Sequence, residues 1–341
     1  MNKILTIIVP TYNAEKYLRR TLESFLIKSV LEVIEVLIVN DGSTDNTEKV
    51  IQDFKRKNEP QTALFKLVTV PRGGAARARN YGLRLARGDY IGFVDADDMI
   101  HPEMIEKLAD SLGRGNDLSI CRLIFCDEAG VPKPHQHAPG KDRKKCPNQA
   151  LEMIMWEQIQ MSLCAALFRR EVIIGQGGKP EIFCPEDVVA FEDFAFICEY
   201  AGRCRGFVER LDFDGYFYCK HEGSSSTRIY TAREICYALQ PILAIGEKFC
   251  APGFSSHKLL YTFLFIDYWY KEALRSSRHD FSPDSENWRI CMEELERYED
   301  VFMNSRKVSL YRKTAMWIIR RHPGLGWIVA KTWGRLIIGT P

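Results

Sequence analysis

Three carboxylates fall within four positions in Phe93-Val94-Asp95-Ala96-Asp97-Asp98, directly after an apolar run from Tyr90 to Val94. Carboxylates this close repel one another unless a cation sits among them, and an all-oxygen donor set suits Mg²⁺ or Mn²⁺ better than zinc. The apolar run reads as a buried strand whose carboxyl end opens into a charged site. Alone on a loop, an Asp-x-Asp is more often turn chemistry and solvation. A second run, Ile34 to Val39, shifts that balance because it also ends in an acidic turn, Asn40-Asp41-Gly42-Ser43-Thr44-Asp45. Two such strands in a parallel sheet deliver acids to the crevice where α/β folds bind nucleotides.

A third run, Leu5 to Val9, ends in Pro10-Thr11-Tyr12-Asn13, which brings a turn, an aromatic face and polar groups to the same edge. Before the acidic strand lies Arg72-Gly73-Gly74-Ala75-Ala76-Arg77-Ala78-Arg79-Asn80-Tyr81-Gly82. Its small residues let a helix begin close to a ligand, and its arginines offer phosphate donors. The glycine pair does not fit G-x-G-x-x-G and no Walker ending follows, so a nicotinamide cofactor and a P-loop are both disfavoured. Further on, Phe191-Glu192-Asp193-Phe194 sets two acids at the start of a helical pattern, where the helix dipole favours charge and the aromatics restrict water. A simple acid pair at a helix N-terminus stays open as an alternative. Tyr216 to Cys219 reads as a short aromatic strand leading to a polar turn with Lys220 and His221.

Strand and helix signals alternate up to about residue 125, which predicts an α/β fold with a parallel, doubly wound sheet. Helices are expected over Ala14 to Ile27, Thr44 to Lys57, Ala75 to Ala86 and Pro102 to Leu112, with Ser43 or Thr44 capping the second. A fifth strand is expected over Leu118 to Phe125. Asp127 to Pro147, rich in Pro, Gly, His and Lys, reads as a mobile loop.

Together the four amino-terminal segments resemble the nucleotide-sugar domain of family 2 glycosyltransferases. Order and spacing match over about the first 110 residues, with weaker echoes to about residue 230. The resemblance implies a GT-A-like, Rossmann-related, mostly parallel sheet flanked by helices, with a C-terminal helical extension. Residues 1–112 would form the nucleotide-sugar-binding half, 113–230 the acceptor-binding half, and 231–341 a helical region with a basic, aromatic tail. It also implies that Pro10, Thr11, Tyr12, Asn13 and Asp41 hold the nucleobase end of the donor, with Arg79 near the base or phosphate. Asp95 goes to the ribose side, with Ala96 also among the donor-binding residues, Asp97 to the Mg²⁺ or Mn²⁺ that bridges the diphosphate, and Asp98 to an indirect contact with that metal. Asp193 becomes the base for the acceptor hydroxyl, with Glu192 beside it; Lys220 would neutralise the leaving group, and His221 would contact metal or phosphate. Leu167-Phe168-Arg169-Arg170 is similar to another family segment, but Ala165-Ala166 replaces the usual Asn-Lys before it, which leaves acceptor contacts there open.

The activity so implied is an inverting, single-displacement transfer from a nucleotide-sugar, a UDP-sugar, to a glycan or lipid-linked saccharide. Two alternatives are a catalytically silent scaffold of the same fold and a sugar nucleotidyltransferase. The second would want a glycine-rich basic loop where Pro10-Thr11-Tyr12-Asn13 stands. Composition, 46% hydrophobic and 27% charged, suits a globular enzyme, and no nucleic-acid partner is expected. Eleven cysteines, an odd number without C-x-x-C spacing, read as reduced thiols rather than as disulfides or a zinc site. Met1-Asn2-Lys3 leads straight into the first strand without a secretory pattern, and Leu259 to Tyr270, interrupted by Asp267, reads as a packed helix. Residues from Arg306 onward carry eight basic side chains and no acid, against a chain total of +2. In the helical pattern there, Val308, Tyr311, Ala315 and Ile318 form an apolar face while Arg306, Lys313 and Arg320 recur on another. With Trp317, Trp327 and Trp333, the tail is expected either to dock on acidic parts of the protein or to hold a cytoplasmic enzyme against an anionic membrane surface.

Overall fold

Strands β1 (Leu5–Thr11) and β2 (Ile34–Asn40) are buried at every position. Such unbroken apolar runs mark strands covered on both faces. β1 pairs in parallel with β2, Leu5 opposite Ile34 through Thr11 opposite Asn40, and with β4 (Tyr90–Phe93), Leu5 opposite Tyr90. That register sends the three chain segments after these strands out along one edge. The computed structural model describes residues 5–26, 34–133, 143–146, 150–151, 154, 162–221, 230–250, 257–258, 260–262, 285–306, 308–322 and 325.

By contact, the chain divides into one unit of residues 1–187 and 192–224 and a second of residues 188–191 and 225–341. The first holds a sheet of order β3-β2-β1-β4-β8-β6-β9-β5, with β7 on β9. β3 is Phe65–Thr69, β5 Met99–Ile100, β6 Asn116–Cys126, β7 Arg143–Lys145, β8 Ala166–Arg169 and β9 Phe207–Cys219. Among the described residues six strands run one way; β5, β7 and β8 oppose them. The sheet is therefore mostly parallel and mixed, not doubly wound throughout. β8 reverses direction between β4 and β6, and its buried Ala-Leu-Phe would suit a strand of either sense. The expected loop over 127–147 is corrected in part: Lys144 lies opposite Glu209 in an antiparallel β7–β9 pair, while residues 134–142 lie outside the described residues.

Helix α1 is only Leu18–Glu23, shorter than expected. Asn13 adopts φ +46°, and the amides of Asn13, Ala14 and Glu15 donate to Ser43 Oγ, Thr47 Oγ1 and Asp45 Oδ2. With those donors committed across to the β2 turn, the helix begins later. The same bonds move the start of α2 to Thr47 (Thr47–Lys57): Ser43 faces β1 instead of capping, Thr44 N donates to Asn13 Oδ1 at 2.8 Å, and Asp45 Oδ1 accepts from Thr47 N at 3.0 Å. α3 (Ala75–Leu85) packs on β1 through Gly82, where a Cβ would collide with Ile8. α4 spans Met104–Gly113, α5 Arg170–Ile174 and α6 Glu192–Arg203.

In the second unit, α7 (Ala232–Phe249) opens with a Thr231–Glu234 capping box, followed by α8 (Glu286–Arg297), α9 (Glu299–Asn304) and α10 (Leu310–Arg321). The tail helix departs from the expected faces. Val308, Met316 and Ile319 are buried, Ile318 is half-buried, and Arg320 turns inward to donate to Met292 O and Glu296, with Glu299 beside it. Arg321 also pairs with Glu299 at 3.1 Å. Trp317 is exposed; Trp327, Trp333, Lys331, Arg335 and most of Leu259 to Tyr270 lie outside the described residues. Among the described residues no helix is long and apolar enough to cross a membrane.

Candidate active site

The register of β1 and β2 brings Tyr12 and Asp41 into reach of the chain before α3. Asp41 is buried, and its carboxylate accepts from the backbone amides of Gly73 (2.7 Å) and Gly74 (2.8 Å) and from the Arg72 guanidinium. The Arg72 guanidinium lies over the half-exposed Tyr12 ring, 3.6 Å from its centroid. A cation over an aromatic face, hydrogen-bonded to a carboxylate, sets a ring and polar groups side by side. Arg72 opens the run whose arginines the sequence offers as phosphate donors, but here it meets Asp41 and Tyr12. Asn13 sits at the rim, bonded to Thr44; Thr11 is buried, with its hydroxyl donating to Val9 O, and Pro10 is buried within β1.

The acid run divides into three environments. Asp95 Oδ1 accepts from Arg79 Nη2 at 2.8 Å. Asp97 is part-exposed, with Oδ2 2.7 Å from His221 Nε2, and the imidazole stacks on Tyr17 with centroids 4.4 Å apart. Burial and the neighbouring Asp95 charge push the Asp97 pKa up, against the opposing effect of His221. Asp98 is buried: its oxygens accept from Tyr216 OH (2.6 Å) and Cys219 N (2.8 Å). Burial, then Asp95 and Asp97, push its pKa to about 8. Asp98 thus fastens the acid run to β9, while Ala96 is buried with its carbonyl accepting from Thr21 Oγ1 at 2.8 Å. Lys220 is exposed, its ammonium 4.9 Å from the Phe125 centroid, so here it faces a ring rather than an acid. Tyr17 and Tyr216 were missed because their partners lie far off in sequence, where no local pattern registers them.

Among the described residues no three His, Cys, Asp or Glu side chains gather closely enough to hold a metal by themselves. The residues present nonetheless fit a hard divalent ion. Asp97 gives a part-exposed carboxylate and His221 a ring nitrogen beside it, and burial, then the neighbouring Asp95 charge, disfavours a lone charge on Asp97, which a cation would offset. Mg²⁺ is commonly held by one or two carboxylates plus substrate phosphates.

Glu192 and Asp193 stand at the first turn of α6, preceded by Phe191 at φ +63°. Glu192 Oε1 accepts from Arg79 Nη1 at 2.9 Å, so one arginine joins Glu192 to Asp95. Asp193 accepts from Phe194 N at 2.7 Å. Burial and then the Glu192 charge push its pKa to about 6, with Arg79 pulling the other way. Asp193 is half-buried, and a carboxyl whose pKa is raised in this way is suited to proton transfer.

Residues 6–175, about half of the chain, match the family model described as glycosyl transferase family 2. The glycosyltransferase EpsJ of Bacillus subtilis (strain 168) is 36% identical over 125 residues, 37% of this chain and 35% of that protein. The poly(ribitol-phosphate) beta-N-acetylglucosaminyltransferase TarS of Staphylococcus aureus (strain Mu50 / ATCC 700699) is 25% identical over 244 residues, 70% of this chain and 40% of that one. The chain therefore spans well under two thirds of these relatives' lengths. The crystal structure of S. aureus TarS 1-349 in complex with UDP-GlcNAc superposes with a TM-score of 0.67 at 20% identity, covering 97% of this chain and 92% of the other. That likeness bears out the expected α/β architecture. Through residues 6–175, this chain belongs to glycosyl transferase family 2.

Proposed function

We propose that the protein transfers a sugar from a nucleotide-sugar donor, a UDP-sugar, to a hydroxyl of a glycan or lipid-linked saccharide by an inverting single displacement. The observation that carries this reading is the joining of the acid run after β4 to the Glu192-Asp193 pair through one buried arginine, Arg79. The Tyr12–Asp41–Arg72 cluster would take the nucleobase, and Asp95 the ribose side. Asp97 and His221 would hold Mg²⁺ or Mn²⁺, which when bound offsets the charge of the departing diphosphate. Asp193 would take the proton of the acceptor hydroxyl while its oxygen attacks the anomeric carbon. The bond from that carbon to the diphosphate breaks, and the nucleoside diphosphate leaves. No covalent enzyme intermediate is needed.

The test is a panel of UDP-, GDP- and dTDP-sugars with Mg²⁺ or Mn²⁺. Release of UDP is expected. Pyrophosphate would point to a nucleotidyltransferase, and no turnover of any donor to a silent scaffold.

The finer localisation we propose is a cytoplasmic enzyme held peripherally on the inner face of a membrane. Support comes from α10, where exposed Leu310 and Trp317 lie on the same helix as Arg312, Lys313 and Arg321. Basic side chains near an anionic surface are worth about 1 kcal/mol each. The full chain is expected to sediment with anionic vesicles at low salt and to be released at high salt, with little binding to neutral vesicles. Equal, salt-insensitive behaviour with both would leave the tail as structure alone.

A further inference from the structure

Arg79 is 6% exposed, and its two terminal nitrogens reach in different directions: Nη1 to Glu192 at 2.9 Å, Nη2 to Asp95 at 2.8 Å. The partners lie 113 and 16 residues away along the chain, one at the start of α6 and one after β4. The root of the side chain is also fixed. Gly82 seats α3 against Ile8, and the adjacent Asn80 clasps Cys184 reciprocally, Oδ1 accepting from its amide and Nδ2 donating to its carbonyl, each at 2.8 Å. Burial opposes the charge of Arg79, but Asp95 and Glu192 hold its pKa well above the ordinary value, so the cation is permanent.

We propose that Arg79 is a positioning residue rather than a donor ligand, one guanidinium fork that fixes the donor-side carboxylate Asp95 against the acceptor-side carboxylate Glu192. The inference rests on the transferase reading above. A phosphate would have to compete with two bound carboxylates for Nη1 and Nη2, and Nε, which carries no partner among the described residues, is itself buried. Arg is suited to this because its planar donors are pre-organised for two carboxylates at once, whereas an ammonium is a single point charge.

The consequence falls on Asp193. The charged and titratable groups facing it are Glu192, Asp95, Cys184 and Arg79, and among these Arg79 is the cation. Burial and the two carboxylates favour the protonated form; Arg79 favours the charged form. A base must be deprotonated to act, so loss of Arg79 would move the acid side of the activity profile to higher pH.

The experiment compares wild type, Arg79→Met, Arg79→Lys and Arg79→Met with Glu192→Gln, using the full chain, a UDP-sugar and Mn²⁺, with thermal melts to establish folding. In Arg79→Met the midpoint of the acid limb of kcat is expected to rise by about one pH unit or more, the size of effect an adjacent opposite charge has. Adding Glu192→Gln should bring that midpoint part of the way back. Arg79→Lys should shift it less while still lowering kcat, because the fork is lost. An unmoved acid limb in folded Arg79→Met, or a raised donor KM with unchanged kcat in Arg79→Lys, would overturn the positioning role. Carboxyl ¹³C titration of Asp193 in wild type and Arg79→Lys or Arg79→Met reads the same coupling without turnover. An inactive wild type with an intact titration shift would therefore reject the transferase reading alone, and an active wild type with no shift would reject the positioning role alone.

Discussion

Asp193→Asn is expected to lower turnover at least about 100-fold, the lower end of what a positioned general base contributes, with donor affinity nearly unchanged. The amide keeps the shape and the place at the first turn of α6 but cannot accept the proton. The same variant should melt no lower than wild type. A carboxyl whose pKa is raised by burial and by Glu192 is destabilised when charged, so its charge costs stability as pH rises through about 6. Removing the charge relieves that cost while removing the base. For wild type, the same value predicts that kcat falls as pH drops below about 6. Kinetics across pH 5–8 and a thermal melt check both halves. Loss of donor binding with normal residual turnover would assign Asp193 to the nucleotide site instead.

Asp97→Asn is expected to reduce transfer to the assay background while the fold stays intact. Its side chain is 32% exposed and meets His221, not the core, and its raised pKa means that the neutral amide imposes no new burial cost. What disappears is the carboxylate that a divalent ion would find beside the diphosphate. Circular dichroism should match wild type, and nucleoside diphosphate release should not. A folded Asp97→Asn protein with full Mn²⁺-supported activity would remove Asp97 from the metal assignment.

The parts of the fold legible in sequence were those written in local pattern. β1, β2 and β4 are near-continuous apolar runs ended by polar turns, and their observed bounds differ from the expected ones by one or two residues. The late starts of α1 and α2 were not legible, because the competing hydrogen bonds run between Asn13–Glu15 and Ser43–Thr47, about thirty positions apart. β8 escaped as a reversed strand because alternation and burial carry no information on direction. At the candidate site, the sequence named the carboxylates but not what each one meets. Asp95, Asp97 and Asp98 look equivalent as a run, yet an arginine, a histidine and a tyrosine with a backbone amide divide them into three environments. Tyr17 and Tyr216 had no spacing to mark them as partners of the acid run, and nothing local sends Arg72 to Tyr12; tertiary register brings all three in.

The most direct measurement is nucleoside diphosphate release by the wild-type chain from a UDP-sugar, followed in one sample through Mn²⁺ addition, chelation in excess and Mn²⁺ restoration. The account predicts UDP formation that starts with the metal, stops with the chelator and returns with the metal. Undiminished release in excess chelator, or pyrophosphate in place of UDP, would contradict it.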